Sequence, residues 1–170
     1  MNALGDQRVV DYVNENFVNT YLKVGTFQII NGQKVGGNVA SYFCLADGSV
    51  VHAIPGQVSA DKFLTEARWA YEIRKAALTH STDLENGKVD MRKYTEHIGK
   101  AHADRYFSEQ KGLFANKNNL PDRRPLTATA QNQVHWLLAR SPLARIETVY
   151  PTVWTQILNE QMSTLPVAQR

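Results

Sequence analysis

The stretch VASYFCLADGSVVHAIPG, Val39 to Gly56, decides how this chain folds. Val39 to Leu45 is a short, largely apolar run, Asp47-Gly48 is a turn dipeptide, and Val50 to Ile54 is a second apolar run. Two such runs across a tight glycine-containing turn predict a β-hairpin. Pro55-Gly56 ends the second strand, and Ser59 is a good N-cap. A helix is therefore predicted from about Ala60 to Leu78. Phe63, Ala67, Ala70, Tyr71, Arg74 and Leu78 fall on one side of it, the side expected to pack on the sheet.

Working outward toward the N-terminus, Gly5 to Asn16 reads as a helix. Asp6 caps it, and Val9, Val10, Tyr12, Val13 and Phe17 form its apolar stripe. Phe17 to Val24 is rich in β-formers and predicts a strand. Gly32, Gly36 and Gly37 punctuate a loop, and Phe27 to Ile30 either extends a strand or lies in that loop. Toward the C-terminus, Ser81 to Lys88 is polar, contains Asn86-Gly87 and reads as a linker. It separates residues 1–80 from a helical extension over residues 81–170. A helix over Met91 to Gln110 turns Tyr94, Ile98, Ala101 and Arg105 or Tyr106 inward. Asn116 to Pro125 is a loop. A helix capped by Thr127 or Thr129 runs to about Arg140, with Val134, Leu137 and Leu138 inward. Ser141-Pro142 predicts a further helix start, and Pro151 an interruption before Val153, Trp154, Ile157 and Leu158.

The bulk numbers set limits. At 170 residues the chain is long enough for one domain with an extension, without disulfides or metals to hold it. A net charge of +3 with no basic stripe gives no nucleic-acid footprint, and no apolar run approaches the length of a membrane span. One cysteine, Cys44, excludes an internal disulfide and any cysteine-only metal site. No secretory signal opens the sequence, so a chain starting at Met1 is expected to be cytoplasmic.

The order helix, strand, hairpin, helix resembles the second part of a thioredoxin-like domain. LGDQRVVDYVNENFVNTYLKV (Leu4 to Val24) is similar to the segment where the first family helix ends and the chain re-enters the sheet. Val39 to Gly56 resembles the family hairpin, and SADKFLTEARWAYE (Ser59 to Glu72) its closing helix. The resemblance covers about Leu4 to Leu78 and implies an α/β fold with a truncated thioredoxin-like sheet. It departs from the family's redox members in two places. Their first strand and Cys-x-x-Cys have no counterpart here, because Met1 falls just beyond where that motif would lie. Their cis-proline position is held by Asn38, Val39 or Ala40. Thiol exchange needs one low-pKa thiolate to attack and a second thiol to resolve. The chain as given is therefore not expected to catalyse it, and the resemblance implies a redox segment upstream of Met1. The competing expectation is a non-catalytic interaction module, binding a protein partner or a second copy of itself through an open sheet edge.

Individual residues read mostly as structural. Cys44, the only thiol and so the only candidate nucleophile, lies between Phe43 and Leu45 and reads as a small buried hydrophobe. His52 reads as a packed or edge histidine. His97 and His102 stand about 140° apart on a helix and do not share a face. A site built from them with His80 and Asp83 or Glu85 is therefore disfavoured, and no metal or cofactor is expected. His135 is expected on the surface and Trp136 in the core. Trp69 and Trp154 are read as core.

Overall fold

The computed structural model describes residues 3–21, 27–31, 33–36, 38–109 and 119–162. After a 3-10 turn at Ala3–Gly5 come α1 (Gln7–Asn16), β1 (Phe27–Ile30), β2 (Gln33–Gly36), β3 (Ala40–Cys44) and β4 (Val50–Pro55). The rest is helical: α2 (Ala60–Ser81), α3 (Met91–Glu109), α4 (Ala130–Arg140), α5 (Ile146–Pro151) and a π-helical turn over Thr152–Ile157. The chain is mixed α/β at the coarse level, with helices dominating.

The hairpin read from Val39 to Gly56 is β3–β4. Its antiparallel register runs from Ala40 opposite Pro55 to Phe43 opposite His52, with an irregularity between Phe43 and Cys44. Gly48 adopts φ +85, a conformation that costs glycine nothing, and Asp47 accepts from both the backbone and the hydroxyl of Ser49 to close the turn. β1 and β2 form a second antiparallel hairpin turning at Asn31, itself at φ 53. Gly36 thus ends a strand where a loop was expected. Phe17–Tyr21 is neither helix nor strand, and the remainder of the predicted Phe17–Val24 strand lies outside the described residues.

β4 is the axis of the fold. All six of its residues are buried. Ile54 joins a cluster with Val9, Phe43, Phe63, Leu64, Ala67 and Ala70. Val50 and Ala53 join Val134, Leu138, Val149 and Val153, while Val51 joins Ile73, Ala77, Tyr94 and Ile98. Burial on every side poses a problem, because among the described residues only one edge of β4 has a strand beside it, and a buried backbone group without a partner is costly. The far edge is satisfied without a strand. The Val50 amide donates to the Ala144 carbonyl at 2.9 Å, and the Ile146 amide donates to Gly48 at 3.0 Å. The Val51 carbonyl accepts from the His102 ring at 2.9 Å, and the Ala53 carbonyl accepts from Gln131 Nε2 at 3.1 Å. Side chains of α3 and α4 thereby stand in for a neighbouring strand. Replacing Gln131 by Leu should cost about 1–2 kcal/mol in urea denaturation, because the Ala53 carbonyl stays buried and loses its donor. An unchanged midpoint would show that the carbonyl reaches water.

The helices follow their caps. Asp6, Ser59 and Thr129 side chains accept from the first-turn amides of Arg8, Lys62 and Asn132. The inner face of α2 is Phe63, Leu64, Glu66, Ala67, Ala70, Ile73, Ala77 and Ser81. After Ala70 its buried line passes through Ile73 and Ala77 and not through the predicted Tyr71 and Arg74, while the predicted Leu78 is half-buried against the Val51, Ile73 and Ala77 cluster. α3 and α4 pack closely, with Gly99 facing Pro142: a Cβ there would lie 3.2 Å from the proline ring. Two helix breaks differ from the sequence expectation. Ser141 caps the end of α4, and α5 starts only at Ile146, because Ala144 to Ile146 is drawn into pairing with the hairpin turn. Pro151 does not interrupt the helical path, which continues through it as a π-turn. Among the described residues no helix is long and apolar enough to cross a membrane.

Candidate metal centre

Three histidines meet in the interior, each from a different element. His52 comes from β4, His102 from α3 and His135 from α4, and none has any exposed surface. Each arrives there through the apolar pattern around it. His52 is flanked by Val51 and Ala53 in a strand with no exposed face. His102 continues the buried line Tyr94, Ile98, His102, Tyr106, four residues apart throughout and so on one helical face. His135 sits beside Val134 and one turn before Leu138.

The hydrogen bonds fix which ring nitrogens carry protons. His102 Nε2 faces the Val51 carbonyl, which only accepts, so Nε2–H donates and Nδ1 keeps its lone pair. His135 Nδ1 lies 3.0 Å from that Nδ1 and must be the donor, which leaves His135 Nε2 as a bare lone pair. His52 Nε2 lies 3.0 Å from Glu66 Oε2 and donates to it, which leaves His52 Nδ1 bare. Neither His52 Nδ1 nor His135 Nε2 has a hydrogen-bond partner among the described residues, although both are buried. Orphaned buried lone pairs in a native fold call for an explanation.

Glu66 anchors the centre from α2. Its side chain has no exposed area, and both oxygens are engaged. Oε2 accepts from His52 and, at 2.5 Å, from Arg105, while Oε1 pairs with Lys62 at 2.7 Å. Burial alone would raise the Glu66 carboxyl. The His52 hydrogen bond and the Lys62 and Arg105 contacts outweigh it and hold the group ionised, well below the usual carboxylate range. The histidines move the other way from their ordinary value. Burial pushes His102 down to about 3, with the charge of Arg105 adding to it, and pushes His52 and His135 down as well. All three are neutral at physiological pH. Trp69 covers them, its ring 4.8, 5.0 and 5.3 Å from the imidazole centroids of His52, His102 and His135 and steeply inclined to each. The Arg105 guanidinium lies 4.4 Å above the indole.

Neutral imidazole is the commonest protein ligand for zinc and neighbouring transition metals. One ring nitrogen from each of the three histidines lies within 4.8 Å of the other two. A tetrahedral ion with metal–nitrogen bonds of about 2.0–2.1 Å needs ligand nitrogens about 3.3 Å apart. The bare nitrogens are His52 Nδ1 and His135 Nε2; His102 Nδ1 accepts from His135 Nδ1–H at 3.0 Å, a hydrogen bond that would give way when an ion takes the His102 lone pair. Metal-binding histidines also characteristically donate their second N–H to a carboxylate or a backbone carbonyl. His52 does the first, to Glu66, and His102 the second, to Val51.

Other residues singled out in the sequence lie elsewhere. Cys44 is exposed at the end of β3, next to the turn, and not buried as expected. Partial shielding, with Asp47 and Glu147 nearby, pushes its thiol up to about 11, away from reactivity. His80 and His97 form their own stacked pair with centroids 4.9 Å apart, while Asp83 is occupied in its own turn with Glu85 and Asn86. His135 and Trp136 exchange the expected places. His135 is fully buried, whereas Trp136 is half-buried with its indole N–H on the Pro121 carbonyl at 2.7 Å. Trp154 is core. The sequence signal for His102 is its spacing of four residues from both Ile98 and Tyr106, which puts it on the buried face of α3 and His97 off it. No family model, curated protein or solved structure matches the chain.

Replacing Glu66 by Ala should destabilise the protein by about 3 kcal/mol, because the buried His52 N–H and the Arg105 guanidinium lose their common partner. Glu66→Gln keeps an acceptor and should cost less. Urea midpoints order the two variants; equal, small losses would mean that Glu66 anchors nothing.

Proposed function

We propose that this protein binds a divalent transition-metal ion, of the zinc type, through His52, His102 and His135. The observation that carries the reading is the pair of buried, partnerless ring nitrogens on His52 and His135, grouped with the His102 ring. The ligands stand 33 residues or more apart in sequence and belong to β4, α3 and α4. A bound ion would therefore tie the hairpin to two of the helices that pack on it. Isothermal titration of chelator-treated protein with zinc chloride tests this. One ion per chain is expected, with binding lost in His102→Gln and in His135→Gln. Glu66→Gln should weaken it by about 10–100-fold through the orientation of His52. Heat no greater than that of dilution, or binding that survives both histidine variants, would overturn the proposal.

A second reading concerns descent and partners. What favours a thioredoxin-like relationship for the N-terminal part is the β3–β4 hairpin followed by α2; Phe17–Tyr21, where the resemblance implies re-entry into the sheet, is not a strand. In that reading the chain is non-catalytic in thiol exchange. Among the described residues β3 pairs only on its β4 side, which leaves an edge for a protein partner or a second copy of the chain. The chain should not accelerate insulin reduction by dithiothreitol, and Cys44→Ser should change nothing. Acceleration that depends on Cys44 would sink the non-catalytic form of this reading.

A further inference from the structure

We infer that the three-histidine centre, once it holds a divalent ion, takes a small monovalent anion such as azide or a halide at its fourth coordination position. This rests on the metal reading above and adds to it a ligand that the donor set demands. The grouped ligands are imidazoles alone, with no carboxylate or thiolate among them. A histidine coordinates a metal as the neutral imidazole, so the three bring no charge to offset a dication. The charged side chains that act on the rings are Glu66, Arg105 and, at His52, Lys62. Glu66 cannot supply the missing charge, because Oε1 is held by Lys62 and Oε2 by Arg105 and His52. One carboxylate between two cations leaves the surroundings net positive before any ion enters. A dication bound to three neutral nitrogens in a site without exposed surface would carry its full charge into that positive field, a state that proteins avoid by pairing. Tetrahedral coordination leaves one position open after three protein ligands. An anion there neutralises one charge within bonding distance, where Coulomb attraction is strongest.

The exchange is a ligand substitution. The bond from the metal to a water oxygen breaks, a bond from the metal to the anion's donor atom forms, the water leaves intact, and no electron is transferred. The anion must be small, because the three imidazoles are fully buried and Trp69, pinned by Arg105, lies against all of them.

Cobalt(II) reports both steps, since its visible bands change with the fourth ligand. Chelator-treated full-length protein is titrated with cobalt(II) perchlorate in a buffer whose only other anion is perchlorate, then with sodium azide or sodium chloride. The expected result is a one-to-one cobalt complex whose bands shift saturably with azide. Cobalt affinity should rise by about tenfold at saturating azide, a usual size for coupling between two ligands. Cobalt bound one-to-one, with spectrum and affinity unmoved by azide and by chloride, would overturn this inference and leave the metal reading standing. Failure to bind cobalt at all would overturn both.

Discussion

Metal-free protein should unfold steeply in mild acid, beginning just below pH 6.5. His52, His102 and His135 are each held below the ordinary histidine value of 6.5 in the folded state, chiefly by burial. In the unfolded chain they titrate normally. As pH falls through 6.5 the unfolded chain takes up three protons that the folded chain refuses, so stability falls with falling pH. With all three engaged the slope is about 4 kcal/mol per pH unit. Glu66, also held below its ordinary value, adds to the loss once pH passes below 4.5. A domain of ordinary stability, about 5–15 kcal/mol, cannot survive more than a few units of such a slope. Urea denaturation at half-unit intervals from pH 7.5 to 4.5 measures it. A flat profile down to pH 5 would mean that the histidines reach water in the folded state.

Zinc should raise the melting temperature by several degrees. An ion that binds the folded chain alone stabilises it by about 2.7 kcal/mol at a free concentration a hundred times its dissociation constant. For a chain of this size that corresponds to about 5–10 °C. The stabilisation has a structural reading, because β4, α3 and α4 cannot separate while all three keep their ligand. His102→Gln and His135→Gln should melt at the same temperature with and without zinc. A zinc shift retained in both variants would place the ion elsewhere, with the stacked pair of exposed His80 and half-buried His97 as the first place to look.

The local elements were largely legible in the sequence, and the centre was not. Hairpin β3–β4, the caps Asp6, Ser59 and Thr129, and the cores of α1 to α4 follow from turn chemistry and periodicity, which act over a few residues. The errors come where distant chain overrides local preference. Ser141-Pro142 reads as a helix start, yet the hairpin turn draws Ala144 to Ile146 into backbone hydrogen bonds and delays α5. Gly36 reads as a loop residue, yet it pairs with Phe27. The inner face of α2 includes Glu66, a residue that pattern reading assigns to solvent. It is buried because Lys62 and Arg105 neutralise it and His52 donates to it. His135 reads outward for the same reason, since a polar residue in an amphipathic helix is ordinarily on the wet face. Only the approach of α4 to β4 and α3 makes the inward position favourable. A site whose three ligands come from three elements carries no short motif, so spacing along the chain could not reveal it.

The most direct test of the account is zinc K-edge X-ray absorption on the protein loaded with one equivalent of zinc. The account predicts a four-coordinate ion with three imidazole nitrogens at about 2.0–2.1 Å, recognisable by the scattering of their rings, and one further light ligand. A six-coordinate shell of oxygens without imidazole scattering would contradict it, and the three histidines would then be a buried hydrogen-bonding network and nothing more.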